Sequence, residues 1–146
     1  MNIHIKKSSF FFLLFFFFSC SEIRLIQEYD PVSENKITLL QEKSTRFFIK
    51  LERNFSLPEN KYEKFIDFYD DIQSDIRILE TRSKSIDKTE IIQQQLNALS
   101  TQFISLEELH KKGFKSKEEI LVIESAINTS YVAILKLQVA LKNKKI

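Results

Sequence analysis

Residues 56–92 read SLPENKYEKFIDFYDDIQSDIRILETRSKSIDKTEII, and the pattern of this stretch decides the fold. Its large apolar side chains recur three or four residues apart, with Ser83 as the polar interruption. This spacing lines one face of a long helix and is typical of the stripe along which helices pack in coiled coils and bundles. The apolar positions are Tyr62, Phe65, Tyr69, Ile72, Ile76, Leu79 and Ile86.

Helix-start motifs divide the chain around this stretch. In a capping box, a Ser, Thr or Asp side chain and a carboxylate three residues later satisfy free amides at a helix N-terminus. We expect the second, third and fourth helices to begin at the boxes Ser56–Glu59, Asp87–Glu90 and Ser116–Glu119. The first helix is expected to begin at Asp30, as the N-cap, with Pro31 in its first turn.

The other three helices carry apolar stripes of the same spacing. Because two adjacent residues face different directions, we expect only one of Phe47 and Phe48 to point fully inward. The third helix ends before Gly113, which can adopt the left-handed backbone of a helix C-terminus, so that Phe114 packs back. The stripes are Ile37, Leu40, Phe47, Leu51 and Phe55; Ile92, Leu96, Leu99, Phe103, Leu106 and Leu109; and Ile120, Ile123, Ile127, Tyr131, Ile134, Leu137 and Leu141.

Composition and spacing together predict an all-α domain over residues 30–146. One Gly and two Pro in 146 residues are too few for a sheet with its turns, and the connections between helices are short. Short connections make neighbouring helices antiparallel, so we predict an up-down-up-down four-helix bundle. Two other arrangements fit the pattern: a three-helix bundle with the first helix loosely docked, and a long helical hairpin that dimerises.

The N-terminus has the pattern of a secretion signal. Lys6 and Lys7 precede the apolar block Phe10–Phe18, which is followed by Ser19 and the single cysteine, Cys20. The block is too short for a transmembrane helix, which needs roughly 20 apolar residues, and has the length of a signal-peptide core. We predict a cleaved signal peptide at 1–19 and a tether at 20–29.

The residues Phe17-Phe18-Ser19-Cys20 resemble the lipobox of bacterial lipoproteins, with Ser19 as the small residue before the cleavage site. Phe17 and Phe18 depart from the usual Leu and small residue. The resemblance implies cleavage between Ser19 and Cys20, and acyl chains on Cys20 that hold the protein to a membrane of the bacterial envelope. Because Ser21 replaces the Asp that retains some lipoproteins at the inner membrane, it implies the outer one. The alternatives are a secretory signal without lipid, cut nearby, and a buried free cysteine.

Three short segments of the helical region also resemble small bacterial lipoproteins. They are Phe68-Tyr69-Asp70-Asp71, His110-Lys111-Lys112-Gly113-Phe114 and the stretch from Leu137 to Lys142. This resemblance implies a location and a topology and carries no activity.

Charge and motif content exclude several functions. Removing residues 1–19 takes away Lys6 and Lys7 and no acid, which leaves 20 basic residues (22 minus 2) against 20 acidic ones. A neutral chain lacks the basic excess of a nucleic-acid binder. With one Gly the chain has no phosphate-binding loop, and no Gly-x-Ser-x-Gly nucleophile motif is present. We therefore expect no enzyme activity and no cofactor.

Glu107-x-x-His110 has the spacing of a ligand pair in di-metal helical bundles. Such a site needs a second pair and two more carboxylates, whereas His110 is the only histidine left after cleavage, so we expect no metal. The simpler interpretation places His110 at the end of the third helix, where a protonated imidazole favours the helix dipole.

An acidic stripe formed by Asp67, Asp71 and Asp75 is the candidate partner surface, together with Phe68, which lies off the apolar stripe. The favoured interpretation of the stripe is a solvated face that lysines of a neighbouring helix neutralise, and that of Phe68 is a place in the core. The function expected is that of a lipid-anchored helical interaction or structural module that binds another envelope protein. A carrier of a small apolar ligand in the bundle core is the alternative, and tightly filling Phe and Ile stripes favour the module. The oligomeric state stays open.

Overall fold

Four helices form the fold in the computed structural model, which describes residues 26–144. Two short 3-10 turns, Pro58–Asn60 and Tyr62–Lys64, connect the first helix to the second. The signal peptide and most of the predicted tether lie outside the described residues. The helices are α1 (Pro31–Arg53), α2 (Ile66–Lys84), α3 (Glu90–Lys112) and α4 (Lys117–Asn143).

The helices pack as a closed ring of neighbours. α1 lies against α2 and α4, and α3 also lies against α2 and α4. Since the connections are short, successive helices run antiparallel. The predicted all-α, up-down-up-down four-helix bundle is confirmed. α1 is fully integrated, because Ile37 and Leu51 are completely buried, so the alternatives with a loosely docked first helix or a bare hairpin are wrong.

Each helix contributes a side chain to the core at every third or fourth position, as the apolar stripes predict. Burying each of these side chains contributes about 1.5–3 kcal/mol relative to leaving it exposed. The core consists of Ile37, Leu40, Phe47, Phe48 and Leu51 on α1; Phe65, Tyr69, Ile72, Ile76 and Leu79 before and along α2; Ile92, Leu96, Leu99, Phe103 and Leu106 on α3; and Ile120, Ile127, Tyr131 and Ile134 on α4.

The structure corrects the core prediction at a few positions. Phe47 and Phe48 are both buried, because Phe47 faces the aromatic side chains of α2 while Phe48 also finds space within the bundle. On α3 the last buried position is His110, and Leu109 is only half-buried. On α4 Gln138 is completely buried next to a half-buried Leu137.

Two of the three predicted capping boxes do not form. Ser56 has a left-handed backbone with φ of 67°, its side chain caps no helix, and α2 begins only at Ile66. The segment between them forms the two 3-10 turns, because the chain has to cross the end of the bundle. At the third helix the N-cap is Thr89 and not Asp87. The Thr89 hydroxyl donates a 2.7 Å hydrogen bond to the carbonyl of Ser83 and closes the turn between α2 and α3.

The remaining helix-end predictions are confirmed. The Asp30 carboxylate accepts a hydrogen bond from the Val32 amide at 3.2 Å, and the Ser116 hydroxyl accepts one from the Glu119 amide at 3.3 Å. Gly113 ends α3 with φ of 82°, in the region that favours glycine. The ring of Phe114 then packs back toward α3, and its centre lies 4.9 Å from that of His110.

Candidate functional site

The acidic stripe of α2 is neutralised within the bundle. The Lys43 ammonium group on α1 lies 2.7 Å from a carboxylate oxygen of Asp75 and 3.4 Å from one of Asp71. Asp67 is exposed. Asp71 and Asp75 therefore belong to a solvated face that a lysine of the neighbouring helix neutralises, which is the interpretation that the sequence favours.

Phe68 is a candidate exposed contact with the core as its favoured interpretation, and the structure places it in the packing between α1 and α2. Its ring stacks on that of Phe47, with the ring centres 3.8 Å apart and the planes 2° from parallel. Phe68 is half-buried and packs against the core. Its place off the main stripe is explained by α1, which supplies the partner ring.

Phe47 and Phe68 belong to a larger cluster of rings, here called the aromatic end, around the link between α1 and α2. Most of its rings meet edge to face, the arrangement that aromatic quadrupoles favour. The cluster contains Phe47, Tyr62, Phe65, Phe68, Tyr69, His110 and Phe114.

His110 is the one imidazole of the aromatic end, and both of its ring nitrogens have partners. Nε2 lies 2.8 Å from the carbonyl oxygen of Asn60, which can only accept, so Nε2 carries the proton. Nδ1 then accepts a hydrogen bond from the Tyr69 hydroxyl at 2.8 Å. His110 thus joins the 3-10 link, α2 and α3 through one ring.

Burial decides the charge of His110. Removal from water lowers the pKa of the imidazole below its usual 6.5, and this effect outweighs the opposing effects of the Asn60 carbonyl and of Glu63. His110 is therefore neutral at pH 7. The expectation of a protonated imidazole at the helix C-terminus is wrong, because the ring turns into the core.

Glu107 does not share a site with His110, although one helical turn separates them. Its carboxylate accepts hydrogen bonds from the Tyr62 hydroxyl at 2.8 Å and from Lys111, whose ammonium nitrogen lies 2.9 Å away. Burial acts to raise the pKa of Glu107, but these bonds outweigh it and hold the pKa below its usual value. Among residues 26–144, no group of three or more His, Cys, Asp or Glu side chains is arranged to hold a metal ion.

The side chains of the aromatic end have a structural role, because they connect α2, α3 and the 3-10 link. A general base needs a lone pair directed at a substrate, whereas both nitrogens of His110 are committed to the protein. Burial also raises the pKa of Tyr69, so its hydroxyl stays protonated. An open groove of about 560 Å³ lies at the aromatic end. Its walls include Phe55, Leu57, Tyr62 and Phe114, and its polar residues include Lys61 and Lys112.

The opposite end, here called the entry end, holds the point where the chain enters the bundle. Asp30 accepts two hydrogen bonds from Arg82 on α2, at 2.6 and 2.9 Å, in addition to its N-cap bond. The bonds from Arg82 are the main cause that lowers the pKa of Asp30 to about 2. Just before it, the Gln27 amide donates to the carbonyl of Lys88 at 3.1 Å.

The bundle also buries polar side chains that the spacing of apolar residues does not predict. Ser44 on α1 and Tyr131 on α4 share a 2.8 Å hydrogen bond at a completely buried position. Gln138 is fully buried, and neither its amide oxygen nor its nitrogen has a hydrogen-bond partner in the described chain. The signal that could have found Gln138 is the strict heptad spacing 120, 127, 134 and 141, with 131 and 138 between.

The enclosed cavity found within the described part of the bundle is small. An enclosed cavity near the entry end, lined by Gln27, Ser33, Leu79 and Ile92 among others, holds about 10 Å³. This is about the room that one water molecule requires.

α4 is also long and apolar enough to cross a membrane by length and composition, a property that it shares with core helices of soluble proteins.

The predicted attachment residue Cys20 and cleavage residue Ser19 lie outside residues 26–144, so both stay predictions. Of the candidate surface, Asp71 and Asp75 come together at Lys43, whereas Phe68 joins the core. Comparisons with family models, with curated proteins and with solved structures find no match for this chain.

Proposed function

We propose that this chain is a lipid-anchored protein of the bacterial envelope whose helical bundle serves as an interaction or structural module. The observation that carries the proposal is the order of residues at the N-terminus: a basic tip, the apolar block Phe10–Phe18, Ser19 and a single Cys20. Acyl chains on Cys20 hold the bundle at a membrane, with the outer membrane favoured by Ser21. Two or more chains make such anchoring stable.

The length of the tether determines which end of the bundle faces the membrane. Seven peptide steps separate Cys20 from Gln27, and a fully extended chain of that length spans at most about 25 Å. Because Gln27 is bonded to Lys88 at the entry end, that end stays close to the lipid surface. The 27 residues of α4 extend for about 40 Å, so the aromatic end can project away from the membrane.

The aromatic end is suited to meet a partner from the envelope space. Its open groove has apolar walls formed by Phe55, Leu57 and Phe114 and lysines at its margin. The rings and hydrogen bonds around His110 hold these walls in place, which reduces the entropy lost on binding. The partner expected there is another envelope protein.

The alternative, a carrier of a small apolar ligand, gains no support from the geometry. A ligand site between helices has a volume of about 300–1,000 Å³, whereas the enclosed cavity at the entry end holds about 10 Å³. The groove at the aromatic end is open to solvent and lies outside the core.

Labelling with a clickable fatty acid in bacterial cells tests the anchor. The unaltered chain is expected to take up the label and to stay in the membrane fraction after a high-salt wash. Cys20→Ser is expected to lose the label and to appear in the soluble envelope fraction. The matched control, Ser19→Ala, keeps a small residue before the cysteine and is expected to label normally. Labelling of Cys20→Ser, or no labelling of the unaltered chain, would contradict the proposal.

A photo-cross-linking residue tests the module. Placed at Leu57, which is exposed at the aromatic end, it is expected to capture an envelope protein in intact cells. The matched control carries the same residue at Lys84, which is exposed at the entry end. Equal capture from the two positions would remove the support for binding at the aromatic end.

A further inference from the structure

A second groove lies where α1 ends. It has a volume of about 540 Å³ and is formed by the last turn of α1 and by the link to α2. Three cations, Lys50, Arg53 and Lys64, line it near the ring of Phe65, with Glu59 as its acidic residue. Within residues 26–144, no acidic side chain forms an ion pair with any of these three cations. The second groove therefore carries more positive charge than its own acid balances.

The groove at the aromatic end that was described above, here called the first groove, has the same charge character. Its acid is Glu63, and Lys111 on its wall is held by two neighbouring glutamates. Lys61 and Lys112 also line it, and neither forms an ion pair in the part of the chain that the structure describes. The link between α1 and α2 is a wall of both grooves, so the two lie side by side.

Together the two grooves contain five cations without an ion pair and two acids. The cations are Lys50, Arg53, Lys61, Lys64 and Lys112, and the acids are Glu59 and Glu63. Because the whole chain has a formal charge of only +2, this excess is local. The helix dipole favours cations in the last turn of a helix, which explains Lys50, Arg53 and Lys112. It does not explain Lys61 and Lys64, which lie outside the α-helices.

We propose that the partner at the aromatic end presents an acidic segment, whose carboxylates bind the cations of the two grooves and whose apolar side chains pack on the groove walls. This inference rests on the proposed function, because it names the chemistry of the envelope protein expected there. Complementary charge guides two proteins into one orientation and speeds their association. An acidic segment that crosses the link can reach cations in both grooves.

The surroundings of the cations favour carboxylates on a protein segment over a compact phosphate. Phosphate sites typically use paired guanidinium bonds and the amides of a helix N-terminus. The second groove is instead lined by the last turn of α1, whose partial negative charge disfavours a small anion close to the backbone. Long lysine side chains carry the positive charge outward from that helix end. Apolar walls, with Phe65 in the second groove and Leu57 and Phe114 in the first, add surface for non-polar side chains.

Titration with a labelled peptide tests the inference directly. The probe is a fluorescein-labelled peptide with glutamates around a central phenylalanine, and its matched control has glutamine in place of every glutamate. The full chain is purified from bacterial cells in a non-ionic detergent, and fluorescence anisotropy measures binding. The acidic peptide is expected to bind about tenfold more tightly than the glutamine peptide, and high salt is expected to reduce this difference.

Charge reversal assigns the binding to the grooves. The variant Lys61→Glu/Lys64→Glu changes one cation in each groove and is expected to weaken binding of the acidic peptide about tenfold. The matched control, Lys84→Glu/Lys136→Glu, makes the same change of net charge at exposed positions outside both grooves and should alter binding by less than about twofold. If the first variant loses its helical circular dichroism, Arg53→Gln replaces it, with an expected loss of about threefold.

Two results would overturn the inference. One is equal binding of the acidic and the glutamine peptides, or an equal effect of the groove variant and its control. The other is a labelled phosphatidylglycerol that binds through Lys61 and Lys64 while the acidic peptide does not bind, because the grooves would then recognise a lipid surface.

Cross-linking in intact cells separates this inference from the proposed function. With the photo-cross-linking residue at Leu57, capture of an envelope protein is expected to fall about tenfold in Lys61→Glu/Lys64→Glu and to persist in Lys84→Glu/Lys136→Glu. Equal capture in the two variants would overturn the acidic partner and leave the module in place. No capture by the unaltered chain would count against the module, and the peptide titration would then decide whether the grooves bind carboxylates.

Discussion

Tyr69 and His110 share a buried 2.8 Å hydrogen bond in which the tyrosine hydroxyl donates to Nδ1 of the imidazole. The two residues lie on α2 and α3, and the other nitrogen of His110 reaches the carbonyl of Asn60 in the link after α1. One imidazole thereby fixes three parts of the chain at the aromatic end. The bond between Tyr69 and His110 links α2 to α3 inside the bundle.

Removal of the Tyr69 hydroxyl should therefore destabilise the fold. We expect Tyr69→Phe to lower the free energy of unfolding by about 1–2 kcal/mol, because Nδ1 of His110 is left buried without a donor. Urea denaturation followed by circular dichroism measures the change. Tyr62→Phe is the control: its hydroxyl bonds to Glu107 at the surface, so a smaller loss is expected. Equal losses of unfolding free energy in the two variants would show that the buried hydrogen bond stabilises the fold no more than the bond between Tyr62 and Glu107 does.

The stability of the bundle should fall as the pH drops below about 6.5. The folded state lowers the pKa of His110, so the unfolded chain takes up the proton first. The contribution of neutral His110 is complete above the unfolded pKa of 6.5 and is lost as the pH falls toward the lower folded pKa. Urea titrations at pH 7.5, 6.5 and 5.5 measure this slope.

The control for this pH dependence is His110→Gln, which keeps a polar side chain without a group that titrates in this range. We expect the variant to be less stable at pH 7.5 and to have a flatter profile between pH 7.5 and 5.5. A variant that keeps the full slope of the unaltered chain would assign the pH dependence to groups other than His110.

The bundle could be predicted from the sequence because its core follows a local rule. Ile72, Ile76 and Leu79 need only their own spacing to be recognised as buried, and all three are. The same rule favoured Leu109 over His110 at the end of α3. It was wrong because the last turn is set by Tyr69 and Asn60, partners 41 and 50 residues away that no local pattern contains.

Backbone conformation explains the other differences. The spacing from Ser56 to Glu59 satisfies the rule for a capping box, but Ser56 adopts φ of 67° and the chain turns across the end of the bundle before α2 begins. Asp30 was found as an N-cap from its place before Pro31, whereas its ion pair with Arg82 joins residues 52 positions apart and became visible only in the fold.

Asp30 should matter more than an ordinary N-cap because it also binds Arg82. We expect Asp30→Ala to lower the free energy of unfolding by about 2 kcal/mol, at the upper end of the range for cap removal. Ser116→Ala removes a cap without an ion pair, and we expect it to cost about 1 kcal/mol. Both values come from urea denaturation at pH 7. A larger loss in Ser116→Ala would show that the Arg82 pair adds nothing.

Asp30 also predicts a response to acid. Its pKa falls from 3.8 to about 2 on folding, chiefly through the hydrogen bonds from Arg82. The stability that it contributes is complete above pH 3.8 and is lost as the pH falls through about 2. Asp30→Asn should therefore reduce the dependence of stability on pH between 4 and 2, as measured by thermal unfolding. An unchanged dependence in that range would exclude Asp30 as a cause.

Gln138 offers a change that should strengthen the bundle. It is fully buried on α4, and neither atom of its amide has a partner in the described chain. Leucine has a similar volume and no polar atoms, so we expect Gln138→Leu to raise the free energy of unfolding by about 1–2 kcal/mol. Gln102→Leu is the control, since Gln102 accepts a 2.9 Å hydrogen bond from Ser130 and should gain nothing. Loss of stability in Gln138→Leu would mean that the amide has a binding role inside the bundle.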